Sequence, residues 1–157
     1  MQDQAQTSSG MDPIGPLRVG WVVTPLSPFG GTATHLRRWA EGLEPSAVRP
    51  ILFYHSPEED AGATLPLPPT LMRVRLPALD LRRRAPVAAI RQLCQALEAY
   101  RVELVHTVFI ASDLLGLAAG HRLELPVLSS VEGDLLVRHM DPKWRFVLAT
   151  IYRLVSP

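Results

Sequence analysis

The chain has 157 residues, enough for one domain with a real core and too few for two ordinary ones. With a net charge of +1 nothing points to a surface that coats nucleic acid, and 47% hydrophobic with 20% charged residues is the balance of a globular domain. No stretch approaches the roughly 18 uninterrupted apolar residues of a membrane span. Cys94 is the only cysteine, which rules out an intrachain disulfide and fits a reducing, cytoplasmic setting.

Residues 1–16 are polar, carry Pro and Gly, and lack the apolar centre of a signal peptide; they read as a disordered leader, with Met11 available as an alternative start. Residues 17–157 read as one domain. Leu17 to Val23 is a mostly apolar run suited to a strand buried on both faces of a parallel sheet. The stiff loop Thr24-Pro25-Leu26-Ser27-Pro28 leads to Phe29-Gly30-Gly31. A helix from Thr32 then places Leu36, Trp39, Ala40 and Leu43 on one face and ends near Gly42, with Pro45 beyond as a stop. Val48 to Tyr54 is the second strand. Ser56 to Pro69 is a loop, and Leu71 to Leu76, which alternates apolar and basic residues, is a half-exposed edge strand of open orientation.

After the charged connection Asp80 to Arg84, proline at a tolerated first-turn position opens a helix at Pro86. Its expected buried stripe is Val87, Ile90, Leu93, Cys94 and Leu97. Val102 to Thr107 is strand four. A short helix from Asp113 to Arg122 follows, capped by Ser112 or Asp113, with Leu114, Leu115 and Ala118 inward. Pro126 to Val131 is strand five, and a last helix from about Pro142 carries Trp144, Val147, Leu148, Ile151 and Leu154.

Strands alternating with helices predict a Rossmann-like, three-layer α/β domain with a mostly parallel sheet. Right-handed crossovers favour the order 3-2-1-4-5. Ligands of such sheets bind outside the carboxyl ends at the switch point, here between strands one and four. The loops that meet there carry Gly30 and Gly31, then His106, then Glu132 and Asp134.

Two glycines ahead of a helix allow positive φ and bring bare amides close to a ligand, and the helix N-terminus favours an anion such as phosphate. The same residues would also make a plain turn. His106 lines the crevice or merely caps its strand. Glu132 and Asp134 are an acidic pair for hydroxyls or an ordinary helix N-terminal turn. Thr32 reads as a helix cap, Arg82-Arg83-Arg84 as a solvated run, Trp39 and Trp144 as core anchors, and Cys94 as an inert core residue. The five histidines show no metal-ligand spacing, so no metal is expected. Dinucleotide, Walker and nucleophile-elbow motifs are absent.

Together, Leu17-Arg18-Val19 leading to Phe29-Gly30-Gly31-Thr32, then His35-Leu36, Trp39-Ala40-Glu41-Gly42-Leu43, Val102 to Thr107, Leu114-Leu115-Gly116 and Pro126 to Ser130 resemble the N-terminal, acceptor-side domain of a family-4, GT-B-fold glycosyltransferase. The resemblance implies transfer of a sugar from a nucleotide-diphosphate donor to a sugar-containing acceptor, with retention and with no cofactor beyond the donor. It implies that Gly30, Gly31 and Thr32 face the donor phosphates or sugar, and His106, Glu132 and Asp134 the sugar or acceptor. It also implies a partner, a C-terminal donor-binding domain or chain, without which the chain is expected to be inactive. No nucleic-acid partner and at most peripheral membrane contact are expected.

Two positions depart from the family's usual pattern: Glu132 stands where many members have histidine, and Val108 where many have a second histidine after His106. The Glu124 to Glu132 spacing matches the family's Glu-x7-Glu but spans strand five, and reads as chance. These departures keep open a second reading, a non-catalytic sugar-, nucleotide- or protein-binding module on the same fold.

Overall fold

A computed structural model describes residues 15–24, 26, 31–55, 67–76, 86–108, 110–130 and 150. The elements are β1 (Leu17–Val23), α1 (Gly31–Gly42), β2 (Val48–Tyr54), β3 (Met72–Arg75), α2 (Pro86–Ala99), β4 (Leu104–Val108), α3 (Ile110–Leu123) and β5 (Val127–Ser130). They form one five-stranded sheet in the order β3-β2-β1-β4-β5, every pair parallel. The order is the expected one, and β3 is an edge strand whose orientation is now settled as parallel. The expected last helix with Trp144 lies outside the described residues.

The sheet separates two apolar layers. On one face α2 and α3 pack Leu93, Leu97, Leu115 and Ala119 against Val22, Phe53 and Val105. On the other, α1 packs Ala33 and Leu36 against Val23, Leu52 and Val108. The division follows from the period of two along each strand, which sends Val22 to one layer and Val23 to the other. It also follows from handedness. The β1-to-β2 crossover moves in the opposite direction along the sheet from the β3-to-β4 and β4-to-β5 crossovers, so right-handed connections put α1 on one face and α2 with α3 on the other.

Two stripes differ from expectation. Val87 is 66% exposed, and α2 presents Ala89 instead. In α3 the inward set is Ser112, Leu115, Gly116, Ala119 and Gly120, with Leu114 and Ala118 half-buried. The reason is close approach: a Cβ on Gly116 would overlap the methyl of Thr107, and one on Gly120 the side chain of Val127. Two small positions let the helix lie almost directly on β4 and β5, with Leu115 kept in the core and Leu114 left half-buried.

Both α2 and α3 end in left-handed residues that are not glycine, Arg101 at φ 52° and Glu124 at φ 55°. Each is the turning residue of a Schellman motif, closed by the Val102 amide on the Leu97 carbonyl and by the Leu125 amide on the Gly120 carbonyl, both 2.9 Å. Glu124 therefore works as a helix terminator at the amino rim of the sheet, away from any carboxyl-end site.

Candidate functional site at the carboxyl rim

Parallel strands bring all their carboxyl ends to one rim, and α1 begins there at Gly31. The helix has no acidic residue in its first turn, so its N-terminal partial positive charge is not offset from within. Gly31 is exposed, and a Cβ built on it would meet no atom within 4 Å. Its φ is not in the left-handed region. Gly31 therefore serves neither a positive φ nor a crowded turn. It starts the helix without a side chain, at an exposed position where a Cβ would meet open space. Thr32 lies inside the first turn rather than at the cap, because the helix starts one residue earlier than expected. Gly30, Glu132 and Asp134 lie outside the described residues.

His106 is two residues short of the end of β4, not at its end. Its side chain points into the α1 face and is 9% exposed. The imidazole stacks on Trp39, with centroids 5.1 Å apart and planes 28° from parallel, and its Nε2 pairs with Ser130 Oγ at 2.7 Å. Trp39 in turn meets Trp21 and His35 edge-on, at 6.0 and 6.2 Å. Trp39 is thus the hub of a ring cluster under α1, and His106 is held within it rather than turned toward the rim.

On the opposite face a second polar group closes the same strand ends. Asp113, fully buried in the first turn of α3, accepts from the Thr107 hydroxyl and from Ser129 Oγ, the latter at 2.8 Å. Beside it, Ser112 Oγ accepts the amide of Thr24 at 2.9 Å, which reaches across to the end of β1. Neither Ser112 nor Asp113 is a helix cap, because the helix already runs from Ile110. The loop after β1 is also tied to β2, where the Leu26 amide donates to the His55 carbonyl at 2.7 Å.

The sequence signal for this cluster is the adjacent pair Ser129-Ser130 ending an otherwise apolar strand. Neighbouring residues of a strand face opposite ways, so each serine needs its own partner. Among the described residues no group of three His, Cys, Asp or Glu side chains comes together as a metal would require.

Hollows open on the described surface toward the amino rim. One of about 450 Å³ sits beneath the end of α1 between Trp39, Arg38, Leu43, Leu104 and Leu128. Another, of about 440 Å³, lies beside the β2–β3 edge around Pro45, Pro50, Leu71 and Met72. The loops that would wall a carboxyl-rim hollow fall largely outside the described residues, so the geometry that defines the site is the helix N-terminus and the strand ends.

The fold and this rim define a Rossmann-like α/β domain with the start of α1 at its topological switch point. Residues 30–156 match the family described as glycosyl transferase 4-like domain, and the chain belongs to that family, as the N-terminal domain of a family-4 glycosyltransferase. No curated protein matches the sequence.

Among solved structures, the chain is similar to a glycosyltransferase from Rickettsia africae ESF-5, with TM-score 0.56 and 14% identity over 82% of this chain and 34% of that one. It is also similar to the lipopolysaccharide outer core galactosyltransferase WaaB, with TM-score 0.53 and 15% identity over 72% of this chain and 32% of that one. A putative UDP-N-acetylglucosamine 2-epimerase from Listeria monocytogenes is matched as well, with TM-score 0.55 and 8% identity over 88% of this chain and 38% of that one. At these identities the likeness is one of fold. The chain spans 34% and 32% of the two transferases' lengths. Among the described residues no helix is long and apolar enough to cross a membrane.

Proposed function

We propose that the chain is the acceptor-side half of a retaining glycosyltransferase that moves a sugar from a nucleotide-diphosphate donor to a sugar-containing acceptor. Its carboxyl rim faces a second, donor-binding α/β domain, on the same or another chain, and transfer requires both. The observation that carries the reading is the start of α1: an exposed Gly31 and no acid in the first turn. As the bond from the anomeric carbon to the diphosphate breaks, negative charge grows on the leaving oxygens. In this reading the N–H donors of Gly30, Gly31 and Thr32, with the helix dipole behind them, stabilise that charge more than the ground state.

Acceptor hydroxyls fall to Glu132 and Asp134, whose carboxylates accept hydrogen bonds. His106 supports the site from within, through Ser130. We place the reaction in the cytoplasm, where the buried thiol Cys94 stays reduced.

The test is a titration of the isotope-labelled chain with UDP and with pyrophosphate, followed by amide chemical shifts. The Gly31 and Thr32 amides are expected to move with both. Gly31→Ala adds a Cβ into open space, so the fold and the melting temperature are kept while diphosphate-dependent transfer in the completed enzyme falls. If neither ligand moves these amides, or if Gly31→Ala leaves transfer unaltered, the donor role of the rim is wrong.

The burial of His106 favours one other reading, a binding module without chemistry. In that case the amides shift with ligand, yet no donor-binding domain added to the chain produces transfer.

A further inference from the structure

The group that the proposed chemistry leaves without a task is Asp113. It has no exposed surface, and a carboxylate is costly to bury unless it holds something in place. Its two hydroxyl donors come from different strands, Thr107 of β4 and Ser129 of β5. Ser112, the residue before it in the same helical turn, holds the Thr24 amide at the end of β1. One turn of α3 therefore grips the carboxyl ends of three strands, on both sides of the switch point between β1 and β4. On the other face His106 holds Ser130, so the end of β5 is fastened from above and below by consecutive serines.

Two of the three gripped strands, β1 and β5, are those whose following loops carry Gly30 with Gly31 and Glu132 with Asp134. Resting on the transferase reading for its consequence, we infer that Asp113 is a positioning residue. It fixes the α3 first turn as a clasp that sets the spacing between the donor-side and acceptor-side loops. A contact needed only for packing would act on its own strand pair. A clasp makes the end of β1 depend on a bond made at β5.

That dependence is the test. Ser129→Ala removes one hydroxyl from Asp113, on a strand that is separated from β1 by β4. Hydrogen exchange of the full chain is expected to show the Thr24 amide opening about tenfold faster, the scale of losing one hydrogen bond to a charged acceptor. The Phe53 amide in β2 should keep its wild-type rate. Thr107→Val, which keeps the side-chain volume, carries the same test should Ser129→Ala fail to fold. An unchanged Thr24 rate, or a uniform acceleration that includes Phe53, overturns the clasp.

A second arm titrates pyrophosphate against the Gly31 amide. The variant is expected to bind about tenfold more weakly than wild type if the loosened β1 end costs one such bond's worth of positioning. Unchanged affinity in a variant whose Thr24 amide has loosened overturns the positioning role. If the wild-type chain ignores pyrophosphate while the exchange pattern is as described, the clasp stands and the donor reading falls.

Discussion

Replacing Gly116 by alanine tests whether the close seat of α3 on β4 is real. The new Cβ would overlap Thr107 Cγ2 and would sit 3.4 Å from Val105 Cγ1. Thr107 is fully buried, so its methyl has nowhere to go except by rotation about χ1 or by lifting the helix. Rotation swings the hydroxyl off Asp113. Overpacking costs about 1–3 kcal/mol. Losing a hydrogen bond to a charged acceptor costs about 1.5–3 kcal/mol more. Alanine's better helix propensity offsets about 1 kcal/mol.

The expected net loss is therefore about 1.5–5 kcal/mol, a fall of roughly 3–20 °C in melting temperature for a domain of this size. Thr107→Ser removes the one atom that collides and keeps the hydroxyl for Asp113. By itself it should cost about 1 kcal/mol for a deleted buried methyl. In the double variant the two changes fit together, so a urea-unfolding cycle should return a favourable coupling of at least about 1.5 kcal/mol. A Gly116→Ala protein that melts with wild type, or a coupling near zero, would refute the close-approach argument.

Two further outcomes follow from the fold itself. Burial holds the Cys94 thiol above its ordinary value, with Glu98 adding to the shift and Arg122 opposing it. A folded value above the unfolded one means stability is complete below the unfolded thiol's range and is lost as pH rises through it, above about pH 8.5. The urea midpoint of wild type should thus fall more between pH 7 and pH 10 than that of Cys94→Ala; equal falls would remove the thiol from the account. At the end of α3, Glu124→Gly should raise the unfolding free energy by about 1 kcal/mol, because glycine adopts the left-handed conformation without the Cβ penalty. A lower urea midpoint would show that the Glu124 side chain matters more than its backbone.

The architecture was legible because it rests on signals local to the chain. Leu17 to Val23 and Ile51 to Tyr54 are apolar on both faces, which only a strand covered on two sides can use. Leu36 and Leu93 sit on stripes with the helical period. Once strands and helices alternate, handedness leaves few ways to order the sheet. The errors share one cause. Periodicity marks Val87 and Leu114 as core, and residue type marks Thr32 and Ser112 or Asp113 as caps. None of those signals knows how near a neighbouring element lies or where a helix actually starts. The helix ends at Arg101 and Glu124 carry no glycine, so their left-handed turns have no mark in the residue types.

For the site, the sequence by itself placed a glycine-led helix start and a strand-borne histidine beside the switch point of a wound sheet, since both follow from chain order and strand polarity. Only the tertiary structure decided what the histidine does. Facing is set by register, so His106 turns under α1 to Trp39 and Ser130, while its neighbour Thr107 turns the other way to Asp113. The bonds that join Thr24 to Ser112 and Asp113 to Ser129 span 88 and 16 positions. No periodicity in one dimension records such pairs. They exist because the crossovers bring three strand ends under a single helical turn.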